Sequence, residues 1–152
     1  FGGMLFVGEM ADLFSGGATG TASFLVGRNR SSGGLAAGIL LSGTTAFTAD
    51  GIEGGALYLS TAGAEVRLSS AASRPVQFFA AVAGGGSVLS VVDGSRILHK
   101  AVPGADAGGG VSFRLPVGQD FRLGLDVRYT ILFDPDLLIQ SVVPVLMVSK
   151  GF

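Results

Sequence analysis

The stretch Phe121-Arg122-Leu123-Gly124-Leu125-Asp126-Val127-Arg128-Tyr129-Thr130-Ile131-Leu132-Phe133 decides the fold class. Its odd positions are all apolar or aromatic; its even positions are Arg122, Gly124, Asp126, Arg128, Thr130 and Leu132. A period of two sustained over thirteen residues is a strand with one apolar and one largely polar face. It is also about as long as a tilted strand must be to cross a hydrocarbon layer.

Outward from this segment the chain divides in the same way, with Gly, Pro, Asp and Ser at the breaks. The pattern predicts strands over 3–13, 18–28, 33–46, 55–68, 76–90, 107–117, 121–133 and 138–152. Connections after the second, fourth and sixth strands (29–32, 69–75, 118–120) read as tight turns. Those after the third and fifth (47–54, 91–106) read as longer, acid-rich loops. The expectation is one domain over 1–152, all-β, an eight-stranded antiparallel up-and-down transmembrane β-barrel with turns at one end and loops at the other. Helical spacing is nowhere convincing, and 26 scattered glycines disfavour helices.

Composition points the same way. Only 14% of the 152 residues are charged, against about a quarter in ordinary soluble domains. Mean hydropathy is +0.59. Little of the surface has charge to show water, so the chain assembles or meets lipid. The net charge of −1 argues against a nucleic-acid partner. With no cysteine, disulfides, thiolate metal sites and cysteine nucleophiles are excluded. The apolar stretches 33–41 and 142–148 are too short for a spanning helix and are broken by Gly, Ser or Pro. Phe1-Gly2-Gly3 carries no basic segment leading into an apolar core, as expected of the processed or a trimmed form of an exported protein.

Which face is inside follows from side-chain size. One face carries Phe6, Phe24, Leu35, Ile39, Leu41, Val66, Phe78, Val82, Val111, Phe113 and Leu115. The other carries Thr19, Thr21, Ser23, Gly34, Gly38, Ser42, Ala81, Ala83, Gly85 and Ser112, with the charges Glu9, Glu65, Arg67, Arg114, Arg122, Asp126 and Arg128. A soluble lipocalin-like barrel, the alternative fold, would carry Lys and Glu on that second face. Residues this small suit the crowded interior of eight strands, so the bulky apolar face is placed outward, toward lipid. Aromatics then group at two heights: Phe14, Phe47, Tyr58 and Phe133 at the loop end, and Phe24, Phe78, Phe113, Phe121 and Phe152 toward the turn end.

In architecture the whole chain resembles the small bacterial outer-membrane barrels of the outer-membrane protein A and X type. The most specific element is the C-terminal run Val142-Val143-Pro144-Val145-Leu146-Met147-Val148-Ser149-Lys150-Gly151-Phe152. Phe152, Val148, Leu146 and Val142 fit the family's final strand, whereas Lys150 and Pro144 depart from it. The resemblance implies residence in the outer membrane, lipid as solvent, and Phe152 as a signal read by the barrel-assembly machinery.

Candidate chemistry is sparse. His99 is the only histidine and falls in the longest predicted loop, near Ser95 and Asp93. Barrels of this size that modify lipids use such a trio, but no motif fixes a triad here. The acids Asp50, Glu53, Asp134 and Asp136 match no calcium loop, and Asp134-Pro135-Asp136 reads as a turn. Gly84-Gly85-Gly86 and Gly108-Gly109-Gly110 lack a phosphate-cradle context and read as close-packing sites within strands. Neither a metal nor another cofactor is expected. The interior charges Glu9, Glu65, Arg67, Arg114, Arg122, Asp126 and Arg128 read as a structural network, since buried charges are costly unless paired. The expected function is a non-enzymatic barrel, a structural element or a docking anchor for another envelope protein. A narrow porin-like pore, or a conduit for hydrophobic ligands supported by inward Leu40, Leu57, Leu59 and Phe79, is the alternative. A lipid-modifying enzyme is the second.

Overall fold

A computed structural model describes residues 1–8, 10–30, 32–48, 55–71, 73–93, 96–116, 121–136 and 138–150. Eight strands form a closed barrel in sequence order: β1 (Gly2–Val7), β2 (Phe14–Arg30), β3 (Gly33–Thr48), β4 (Gly55–Ser69), β5 (Val76–Asp93), β6 (Arg96–Arg114), β7 (Phe121–Phe133) and β8 (Leu138–Lys150). Every neighbouring pair is antiparallel, and β1 closes the ring on β8 with Gly2 opposite Val145 and Val7 opposite Gln140. The all-β up-and-down barrel is therefore the fold. Closure gives each strand two neighbours, though not along its whole length: β1 meets β2 only over Gly2–Met4, so among the described residues β2 from Gly20 onward has no ladder partner on its β1 side, and β6 before Gly104 has none on its β7 side.

The deciding segment keeps its alternation without a break. Along β7, Arg122, Gly124, Asp126, Arg128, Thr130 and Leu132 are buried in the lumen, while Leu123, Leu125, Val127, Tyr129 and Phe133 are exposed on the outer surface. The same parity puts Phe24, Leu35, Ile39, Leu41, Phe78, Val82 and Phe113 outward, and Thr19, Ala81, Ala83 and Ser112 inward. Pro144 does not disturb it: β8 pairs with β7 continuously from Leu138 to Lys150, with Val142, Pro144 and Leu146 on the outward parity.

Four expectations need correction. The first strand was placed at 3–13, yet β1 stops at Val7. Gly8 takes a left-handed φ of +71°, and the four-residue helix α1 (Met10–Leu13) follows. Gly relieves the steric cost of that turn. Phe6 accordingly points inward with Met4, because Leu5 and Val7 occupy the outward parity. Phe14 is at the loop end as expected but turns inward, its ring 5.5 Å from that of Phe6.

The second correction concerns the long loop predicted over 91–106. β5 and β6 instead run on as one ribbon, with Val91 opposite Leu98 and Asp93 opposite Arg96. Their apolar residues pair across the ladder, which a loop would leave in water. Thirdly, the difference in connection length between the two ends is not seen: 70–75 and 115–120, at the turn end, are as long as 49–54 at the loop end. Lastly, β2 extends to 14–30 where 18–28 was expected.

β6 pairs with β7 only from Gly104 onward, so its upper part rises beside the turn that joins β7 to β8. Lys100 fastens it there, its Nζ donating to Asp134 at 2.9 Å and Asp136 at 3.0 Å. The hydrogen bonds from Lys100 to Asp134 and then Asp136 hold the ammonium charged to higher pH than usual. This fastening is thus present at neutral pH and is lost as pH rises through that raised value. Lys100→Gln should make the 96–103 ribbon more readily cut by protease, by mass mapping of the nicked sites, while leaving the barrel's unfolding midpoint unchanged.

Candidate functional site

The lumen is filled along its length, and its contents divide by height. Toward the loop end Met4, Phe6, Leu57, Leu59, Leu89, Val102, Leu132, Ile139, Val143 and Val145 form one apolar cluster, with Met10 of α1 buried against it. This is a hydrophobic core inside a barrel, capped by one turn of helix. The inward placement of Leu40, Leu57, Leu59 and Phe79 read from the sequence is part of this filling.

At mid-height the lining turns to hydroxyls. Thr44 donates to Thr19 at 2.9 Å, Thr61 and Ser87 share a hydrogen bond of 2.8 Å, and Thr130 donates to Asp106. A cavity of about 20 Å³ lies among Thr19, Thr44, Thr61, Asp106, Arg128 and Thr130. That is room for about one water with several polar partners, not for a conducting column.

Below it sits the charged cluster. Glu65 is fully buried, at 0% exposure, and every acceptor position it offers is used. Arg67 donates to its Oε1 through Nε at 3.0 Å and Nη2 at 2.7 Å. Arg128 reaches Oε1 through Nη2 and Oε2 through Nη1, both at 3.2 Å, and Ser23 donates to Oε2 at 2.9 Å. Arg128 also donates through Nε to Asp126 at 2.8 Å. The planar guanidinium suits this work, because one group can bond two carboxylates at once. Arg67 lies over the ring of Phe79, 4.7 Å from its centre, and donates to Met147 Sδ at 3.6 Å. Phe79 itself needs Gly110: a Cβ there would come within 2.6 Å of the ring and 2.0 Å of the Leu125 carbonyl.

Of the interior charges read from the sequence, Glu65, Arg67, Asp126 and Arg128 are brought together. Arg122 is buried lower down and donates to the Arg74 carbonyl at 3.0 Å rather than reaching Asp126 or Glu65. Arg114 is not inside. It ends β6, opposite Arg122, and is exposed at the turn-end rim, since the last residue of a strand lies beyond the lumen whatever its parity. Glu9 and Phe152 lie outside the described residues, as do Asp50, Glu53 and Ser95. Asp106 was missed as an interior acid because 91–106 was read as loop. Even-numbered spacing from Ser112 back through Gly110 and Gly108 would have found it.

His99 is on the outward side of β6, opposite Ser90 of β5, and its Nδ1 shares a hydrogen bond of 2.8 Å with Ser90 Oγ. The partner is therefore Ser90, not the Ser95 suggested by proximity in sequence. His99 is exposed and Ser90 half-buried near the loop end, beside Tyr58 of β4, which is opposite Ser90.

Glu65 is the point where removal costs most. Glu65→Ala strands the buried Arg128 guanidinium and the half-buried one of Arg67, and should lower stability by about 3–5 kcal/mol, read as a drop in the urea unfolding midpoint in detergent. Asp12→Ala, at an exposed site of α1, should leave that midpoint unchanged. An equal effect of the two changes would mean that the lumen is hydrated. No family model matches the chain, and no curated protein or solved structure matches it at a significant level.

Proposed function

We propose that the chain is a transmembrane barrel of a bacterial outer membrane, acting as a closed, non-enzymatic structural element or as an anchor on which another envelope protein docks. One observation carries this reading: the outer surface is apolar between two aromatic rows. Phe47, Tyr58, Tyr129 and Phe133 form the row near the loop end, and Phe24, Phe78 and Phe113 the row near the turn end, all exposed. Between them stand such residues as Leu41, Val82, Leu125, Val127 and Leu146, each 42–59% exposed. In water that surface carries a large hydrophobic cost; in lipid it carries none. Its occupancy by outer-membrane lipid and its delivery by the barrel-assembly machinery belong to the same proposal. The filled lumen weighs against the porin-like and ligand-conduit alternatives.

The test is accessibility. Single cysteines at Leu123, Leu125 and Val127 should react with lipid-phase probes after reconstitution, and those at Gly124 and Asp126 should not. The parent should float with vesicles and migrate differently on SDS gels before and after boiling. A detergent-free soluble monomer, or the reverse labelling parity, overturns the proposal.

A second reading is favoured by the Ser90–His99 hydrogen bond at the loop-end rim, where a hydroxyl and a candidate base meet on the outward surface. It would make the protein a lipid-modifying enzyme. Purified protein with mixed phospholipid and lipopolysaccharide should then yield deacylated or acyl-exchanged product by mass spectrometry, and Ser90→Ala and His99→Ala should each abolish it. No product from the parent retires this reading.

A further inference from the structure

The two ends of the barrel differ in charge. At the loop end the exposed charges include Asp12 and Asp136, with Asp134 and Lys100 joined in the fastening described above. At the turn end the exposed charged side chains among the described residues are Arg28, Arg74, Arg114 and Lys150, with no acid. Asp120, in the connection after β6, lies outside the described residues. A net charge of −1 therefore conceals a polar molecule with a basic rim.

The rim has two further properties. Its bases are spread around the ring: Arg28 on β2, Arg74 between β4 and β5, Arg114 at the end of β6 and Lys150 at the end of β8. That is about one at every second strand, not a patch on one side. The rim also lies next below the outward aromatic row, and two of its bases adjoin an aromatic residue directly. Arg28 lies four residues beyond Phe24 along β2, Arg114 follows Phe113, Arg74 precedes Val76 and Phe78, and the Lys150 ammonium is 5.4 Å from the centre of the Phe121 ring. An apolar ring capped by a cationic ring is the arrangement that meets the boundary between acyl chains and headgroups, the long basic stems lying over apolar surface while their heads reach polar groups.

We infer that this rim is a binding surface for the anionic headgroups of phospholipids, with Arg28, Arg74, Arg114 and Lys150 contacting their phosphates. The inference rests on the membrane reading above. An annulus fits lipid better than a soluble polyanion: headgroups surround a barrel, whereas a linear or flat polyanion engages one face. Guanidinium groups supply bidentate donors to phosphate oxygens, and the ammonium adds a point charge. Juxtamembrane bases are attracted to an anionic leaflet over a distance of about one screening length, so the interaction is salt-dependent.

Two measurements on the same reconstituted protein separate this inference from the reading beneath it. Flotation with vesicles of phosphatidylcholine alone tests membrane insertion. Spin-labelled phosphatidylglycerol, added to those vesicles, reports by its motionally restricted fraction how far the protein prefers it over spin-labelled phosphatidylcholine. The expected result is a preference above one at low salt that collapses at about 1 M salt, where the screening length is about 3 Å. The variant Arg28→Gln/Lys150→Gln, altered only at exposed positions, should lose part of the preference, and adding Arg74→Gln/Arg114→Gln should bring it to one. A variant that fails to fold is recognised by its absence from the floated fraction, and each single Gln change then takes its place. A parent that floats but prefers neither lipid overturns the headgroup inference alone, as does a preference that survives high salt or the fourfold change. Failure of the parent to float overturns the membrane reading itself.

Discussion

Closure of eight strands on themselves sets a lumen about as wide as its own side chains, and the rest of the molecule answers to that limit. Within the closed part of the wall, every second residue of a strand must fit inside. Where one strand offers a long inward side chain, a neighbour must offer little: Phe79 takes the space left by Gly110, and the Leu132 side chain lies where a Cβ on Gly104 would come within 2.6 Å of it. The glycines that weaken each strand in isolation are thus what let the ring close around a packed interior.

The same limit dictates how charge enters. Water has almost no room inside, so a buried carboxylate depends on protein groups; both oxygens of Glu65 find them, whereas Asp126 uses Oδ2 and leaves Oδ1 without a hydrogen bond. Glu65 draws hydrogen bonds from β2, β4 and β7 through Ser23, Arg67 and Arg128, and so ties together strands that are not all neighbours in the ring. Backbone ladders join only adjacent strands. The carboxylate is a cross-brace in a structure otherwise held by its perimeter, and its position below the apolar cluster divides the lumen into an oily upper part and a charged lower part. α1 completes the division by laying Met10 over the upper part.

A filled interior leaves the outer surface and the two rims as the places where the protein meets other molecules. The apolar band and its aromatic rows suit a bilayer, the basic rim suits its phosphates, and the Ser90–His99 pair stands at the opposite rim. These features occupy three different heights on one wall.

What the sequence by itself determined was the fold and the direction of its faces. A period of two is a local property of the chain, and the sizes of Thr19, Ser23, Ala81, Ala83 and Ser112 show which face must be crowded. β7 was legible to the residue because nothing interrupts its alternation. The membership of Glu65, Arg67, Asp126 and Arg128 in the interior was legible for the same reason. Their pairing was not, because it depends on the stagger between β4 and β7, strands separated in the ring by β5 and β6. Only the tertiary structure decided that Asp126 serves Arg128 and not Arg122, that Arg114 stands outside the lumen, and that Asp106 stands within it. It also decided the turn at Gly8 that folds α1 inward and the pairing that makes a ribbon of residues read as loop. Alternation tells a residue which side of the wall it faces; only closure of the ring sets the height at which it stands, and hence the partner it meets.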